Sequence, residues 1–112
     1  MKYYYALYMD DYVKKNQRKI RNNIEKDKWQ LETYLIALTK NEENHLEIFN
    51  SVLLLQKTMK KENLFIVGIA SGYLEALELV EKITQEVYDM TSGVDIRNYI
   101  LQKQQEYKEG NV

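Results

Sequence analysis

Leu64-Phe65-Ile66-Val67-Gly68-Ile69-Ala70 is a continuous apolar run with three β-branched residues, closed by the turn signal Ser71-Gly72. That is the pattern of a strand buried on both faces. Two further segments suit a pleated surface. Tyr3 to Met9 is aromatic and apolar, and Leu31 to Thr39 (Leu-Glu-Thr-Tyr-Leu-Ile-Ala-Leu-Thr) is a second β candidate.

The segments between these read as helices. Asp11 to Asp27 carries a thin apolar stripe of Val13, Ile20 and Ile24. Asn44 to Lys61 opens on Asn44 as N-cap, with Glu47 three residues on, in the manner of a capping box. Its apolar residues Leu46, Phe49, Val52, Leu53 and Leu55 cover most of its circumference, which predicts a well-buried helix. Tyr73 to Tyr88 places Ala76, Leu77, Val80, Ile83 and Val87 at the 3.6-residue period over an acidic opposite face, with Gly93 as a stop signal. A last helix is expected from Asp95, as N-cap, to about Lys108.

The resulting order, β-α-β-α-β-α-α, predicts an α/β fold: a small three-stranded parallel sheet with right-handed crossovers, within a single domain covering residues 1–112. The competing expectation is a mostly α-helical chain, with Leu31 to Thr39 fused into one long first helix. Periodicity alone does not assign Leu35-Ile36-Ala37-Leu38.

Composition narrows the function classes. The chain has 112 residues, 45% apolar and 29% charged, with a formal net charge of −1. That balance speaks against a strongly basic nucleic-acid binder and against a polyacidic tail. Absence of Cys removes disulfide scaffolds, thiolate metal sites and thiol catalysis, and a single His removes a His-rich zinc site. Met1 to Met9 does not read as a signal peptide. The longest apolar runs, Leu64 to Ala70 and Val52 to Leu55, fall far short of the roughly 20 residues that span a bilayer. A cytoplasmic protein without membrane association, metal or cofactor is the expectation.

A parallel sheet would bring three loops to one edge, outside the carboxyl ends of its strands. Asp10 and Asp11 follow the first strand; Lys40, Asn41, Glu42, Glu43, Asn44 and His45 follow the second; Ser71, Gly72 and Tyr73 follow the third. The candidate ligand-binding residues are therefore Asp10, Asp11, Asn41, Asn44, His45, Ser71, Gly72 and Tyr73. Free N–H groups at the start of the helix after Ser71-Gly72 suit a phosphate-like anion. The segment is neither a GxGxxG fingerprint nor a Walker loop, and Glu75 and Glu78 in the first turns oppose an anion. His45 is the one side chain suited to acid–base work near neutral pH. Without a nucleophile elbow around Ser71, no residue is assigned a catalytic role.

Charge is uneven along the chain. Asp11 to Trp29 holds seven basic residues against three acidic, and Tyr73 to Met90 five acidic against Lys82 alone. With net charge near zero and no aromatic between the basic residues from Lys14 to Lys28, nucleic-acid binding is disfavoured; a solvated basic face is the plain reading, and contact with the acidic helix of another subunit a third. Ten tyrosines are a surplus, and four of them crowd Tyr3 to Tyr8. Tyr is enriched at interfaces, and a small sheet leaves unpaired edges. Together these predict a homodimer, and a small intracellular interaction module rather than an enzyme. The alternative is binding or hydrolysis of a phosphate- or nucleotide-like ligand at the carboxyl edge of the sheet.

Overall fold

The computed structural model describes residues 1–28, 30–40 and 45–110. The elements run β1 (Lys2–Met9), α1 (Asp11–Glu25), β2 (Tyr34–Leu38), β3 (Leu46–Asn50), two 3₁₀ turns (Ser51–Leu55 and Lys61–Asn63), β4 (Phe65–Ala70), α2 (Tyr73–Thr91) and α3 (Ile96–Lys108). The fold is α/β, which sets aside the mostly helical alternative.

The sheet corrects the expectation of three parallel strands. It has four strands in the order β1-β4-β2-β3. β1 pairs with β4 in parallel, but β2 pairs antiparallel with both β4 and β3. The apolar run at 65–70 is a central strand as its composition requires, with Ile66 to Ala70 fully buried. Composition cannot give the direction of its neighbours, because parallel and antiparallel ladders bury the same apolar side chains.

The expected helix from Asn44 to Lys61 is the second correction; Asn44 itself lies outside the described residues. Leu46, Ile48 and Asn50 share one face of β3, and Glu47 and Phe49 the other. Asn50 Oδ1 then accepts from Val52 N at 2.9 Å and turns the chain into a 3₁₀ segment. Apolar residues that would surround one helix are instead divided between the two faces of a strand and a turn.

Each face of the sheet has its own core. On one, Val13, Ile20 and Ile24 of α1 pack with Leu35, Ala37, Phe49, Leu54, Ile66 and Ile69. Full burial of one such side chain stabilises by roughly 1.5–3 kcal/mol, so this stripe of three is enough to hold a helix otherwise rich in Lys and Arg. On the other face, Ala76, Leu79, Ile83 and Val87 of α2 and Ile96 and Ile100 of α3 cover Ile36, Val67, Ala70 and Tyr4. Gly68 lies where the strands approach most closely: a Cβ there would sit 3.0 Å from Ile36 Cδ1 and 3.3 Å from the Tyr8 carbonyl. The β1–β4 register is irregular over the same stretch, between Tyr3 and Tyr8. No helix among the described residues is long and apolar enough to cross a membrane.

Candidate functional site

The carboxyl ends of β1 and β4 lie side by side, and one carboxylate ties them together. Asp10 is the N-cap of α1: its Oδ1 accepts from Val13 N at 2.9 Å. Its Oδ2 accepts from Ser71 N at 2.6 Å and from Ser71 Oγ at 2.9 Å. Two sequence-predicted residues, Asp10 and Ser71, are thus brought together, with both carboxylate oxygens engaged. Asp11 is exposed in the first turn of α1.

Gly72 is the N-cap of α2, without a side-chain cap. The space over it is filled: a Cβ built on Gly72 would lie 2.5 Å from Glu75 Oε1. The Ser71 N–H is directed at Asp10 and the Glu75 carboxylate sits at the helix start, so neither favours an anion there. Tyr73 projects from the same junction and meets the Tyr34 ring edge-on at 5.7 Å.

His45 lies elsewhere. Because β2 runs against β4, the β2–β3 connection is at the opposite end of the sheet from Ser71, about 17 Å away by strand rise over five residues. There His45 Nδ1 accepts from Arg97 N at 3.1 Å, and Arg97 Nε donates to the Thr39 carbonyl at 2.9 Å. His45 and Thr39 dock the start of α3 beside the carboxyl end of β2. A Ser71–His45–Asp10 set is not assembled. Asn41 and Asn44 lie outside the described residues. Among the described residues no three His, Cys, Asp or Glu side chains gather to hold a metal ion.

What the Asp10–Ser71 edge does contain is an open cleft of about 820 Å³ between α1 and the segment 30–33. Tyr12, Asn16, Lys19 and Asn23 of α1 form one wall, Gln30 to Thr33 the other, and Ser71 closes the end. The 30–33 wall is tightly tied. Gln30 Nε2 donates to the Ile20 carbonyl, Asn23 Nδ2 donates to Gln30 Oε1, Ser51 Oγ donates to the Gln30 carbonyl, and Asn50 Nδ2 donates to the Leu31 carbonyl. Sequence reading missed these residues. The antiparallel direction of β2 is what brings its amino end, not its carboxyl end, to this edge.

A second surface follows from the sheet edges. β1 is an edge strand, but its Tyr5 N–H donates to Gln104 Oε1 of α3 at 2.9 Å, and the Tyr5 and Tyr107 rings stack at 4.6 Å. Beneath them Tyr8 and Tyr99 both donate to Glu86 Oε2 of α2, at 2.5 and 3.1 Å. Burial and the adjacent carboxylate raise both phenols above their ordinary range, Tyr99 to about 12.

β3, the other edge, has no such cover among the described residues. The bonds Thr39 N to His45 O and Ser51 N to Thr33 O set the phase of the ladder. Phe49 and Glu47 therefore direct their backbone groups to β2, and Leu46, Ile48 and Asn50 direct theirs outward. Leu46 and Ile48 are partly exposed beside the flank of α2 that carries Tyr73, Leu77, Val80, Thr84 and Tyr88 at helical spacing.

Comparison with protein families, curated proteins and solved structures finds no match.

Proposed function

We propose that this chain is a small interaction module that pairs with a second copy of itself through the β3 edge. The observation that carries this reading is the outward row of backbone donors and acceptors at Leu46, Ile48 and Asn50, beside an apolar shoulder. The row is self-complementary. In an antiparallel pair centred on Ile48, each Ile48 exchanges both hydrogen bonds with its counterpart, and Leu46 faces Asn50. A twofold axis through that point gives an isologous, closed dimer. The exposed flanks of the two α2 helices, with Leu77 and Tyr88, then face each other over the extended sheet. The contrast with β1 supports the reading: one edge is capped by Gln104 and Tyr107, and the other presents no charged side chain on its outward-facing positions.

Size-exclusion chromatography with light scattering tests it. The native chain is expected at twice its 13.4 kDa mass at micromolar concentration. Ile48→Lys, which places two ammonium groups opposite each other in the paired register, is expected at the single-chain mass with its circular dichroism retained. A native chain that stays at the single mass up to millimolar concentration rejects the proposal.

A further inference from the structure

We infer that the cleft between α1 and the 30–33 segment binds a nucleoside phosphate. Three independent features of the cleft lead there, and none involves the β3 edge. The first is preorganisation. Four side-chain hydrogen bonds hold the 30–33 wall, and Asp10 fixes Ser71 at the closed end. A rigid wall spends little ordering entropy when a ligand arrives.

The second is an apolar platform held open to solvent on these rigid walls. Tyr12 is 62% exposed and Leu31 67% exposed, one from each wall. A flat ring is the shape that gains from covering both, and base–aromatic stacking is worth about 1–3 kcal/mol.

The third is charge. Asn16 and Lys19 also line a neighbouring groove of about 660 Å³, together with Lys15, Arg18 and Asn22. No acidic side chain lines that groove, and among the described residues none of its three cations forms an ion pair. Ring platform and cationic groove therefore share a border at Lys19. The single acid in the cleft, Glu32, lies on the 30–33 side, which directs a phosphate toward α1. Asn16 has left helical geometry (φ −121°, ψ 19°) and donates Nδ2 to the Tyr12 carbonyl, so its carboxamide oxygen is free to accept at this border. Ser71 Oγ donates to Asp10 and keeps its lone pairs for a ligand donor. A ring with a phosphate at one end and polar groups between matches this sequence of surfaces. The volume is within the range of small-molecule sites.

Such a ligand has two sources, a free nucleotide or one unit of a single strand. Isothermal titration separates them, using the four common ribonucleoside diphosphates, inorganic pyrophosphate and a twelve-nucleotide oligo-uridine RNA at 50 and 200 mM NaCl. Binding of a diphosphate is expected, weakened at least tenfold by Tyr12→Ala and by Lys19→Ala; both residues are exposed, and the melting curve checks that the fold is kept. Binding of the RNA alone, with the same two losses and a steep salt dependence, supports the strand as source. Pyrophosphate binding as tightly as the nucleotides, unchanged by Tyr12→Ala, overturns the inference. So does any binding indifferent to both substitutions, or none by any probe at millimolar concentration. Ile48→Lys, used as a monomeric control, is expected to bind like the native chain, so failure here and failure of the dimer are read separately.

Discussion

Asp10 illustrates how one side chain sets the geometry of an edge. Its two oxygens serve different elements: Oδ1 caps α1, and Oδ2 holds the β4–α2 junction through Ser71. The substitutions Asp10→Asn and Asp10→Ala separate these roles. Asn keeps one acceptor oxygen, enough for the cap, but offers Ser71 an amide in place of an acceptor. Ala removes all three bonds and leaves the Ser71 and Val13 amides to find water. Loss of a cap costs about 0.5–2 kcal/mol and an unsatisfied buried donor about 1–3 kcal/mol. Urea denaturation is expected to show the alanine variant destabilised by about 2–3 kcal/mol and the asparagine variant by less. Equal midpoints for native and Asp10→Asn proteins would show that the Ser71 bonds contribute nothing. The carboxylate at position 10 is legible in the sequence as a turn and cap residue. Its approach to Ser71, 61 residues away, follows from the expected α/β order, but the hydrogen bonds between the two are not legible in one dimension.

Among the elements, those with one strong periodic signal are readable from the chain alone. β4 is a central strand, and α3 starts at Asp95, whose Oδ1 accepts from Asn98 N at 3.1 Å. α2 keeps the predicted period, with Leu79 rather than Leu77 in the core, and ends on Ser92 in the left-handed region, one residue before the predicted Gly93. The 44–61 segment defeats the reading because five strand residues and a 3₁₀ turn together imitate a helix buried all round. The site suffers from the same cause. Convergence of His45 with Asp10 requires a parallel β2, and the antiparallel β2 carries it to the far end. Side-chain latches between elements are equally invisible in one dimension, and the Glu86 latch has a measurable consequence. A phenol that holds its proton more tightly in the folded chain stabilises that fold below its unfolded pKa of 10 and loses that contribution as pH rises through its folded value, for Tyr99 about 12. Tyr8 is raised in the same direction. Melting temperature is therefore expected to fall steeply above pH 10, and Tyr8→Phe with Tyr99→Phe to flatten that fall relative to the native chain. An unchanged slope in the double variant would place the alkaline loss in other groups.

For the whole molecule, the proposed self-pairing rests on the asymmetry of the two sheet edges. Under that proposal, a chain with one open and one covered edge closes as a pair, through β3 with β3. If the cover of β1 is weakened, each chain offers a second edge, and edge pairing no longer closes: β1 of one dimer can add to β1 of the next, and the sheet grows. That cover is local. It consists of the Gln104 carboxamide on the Tyr5 amide and the Tyr107 ring stacked on Tyr5, both from α3, while the apolar anchor of α3 lies in Ile96 and Ile100. Gln104→Ala combined with Tyr107→Ala is thus expected to leave α3 docked and the helical signal intact. It should add species larger than a dimer that increase with concentration in light scattering. Adding Ile48→Lys to that variant is expected to restrict it to pairs through β1, because the second growth edge is then blocked. A Gln104→Ala/Tyr107→Ala protein that remains at the native mass over a hundredfold concentration range would mean that α3 shields β1 by its bulk alone, and that these two side chains do not separate closed pairing from open growth.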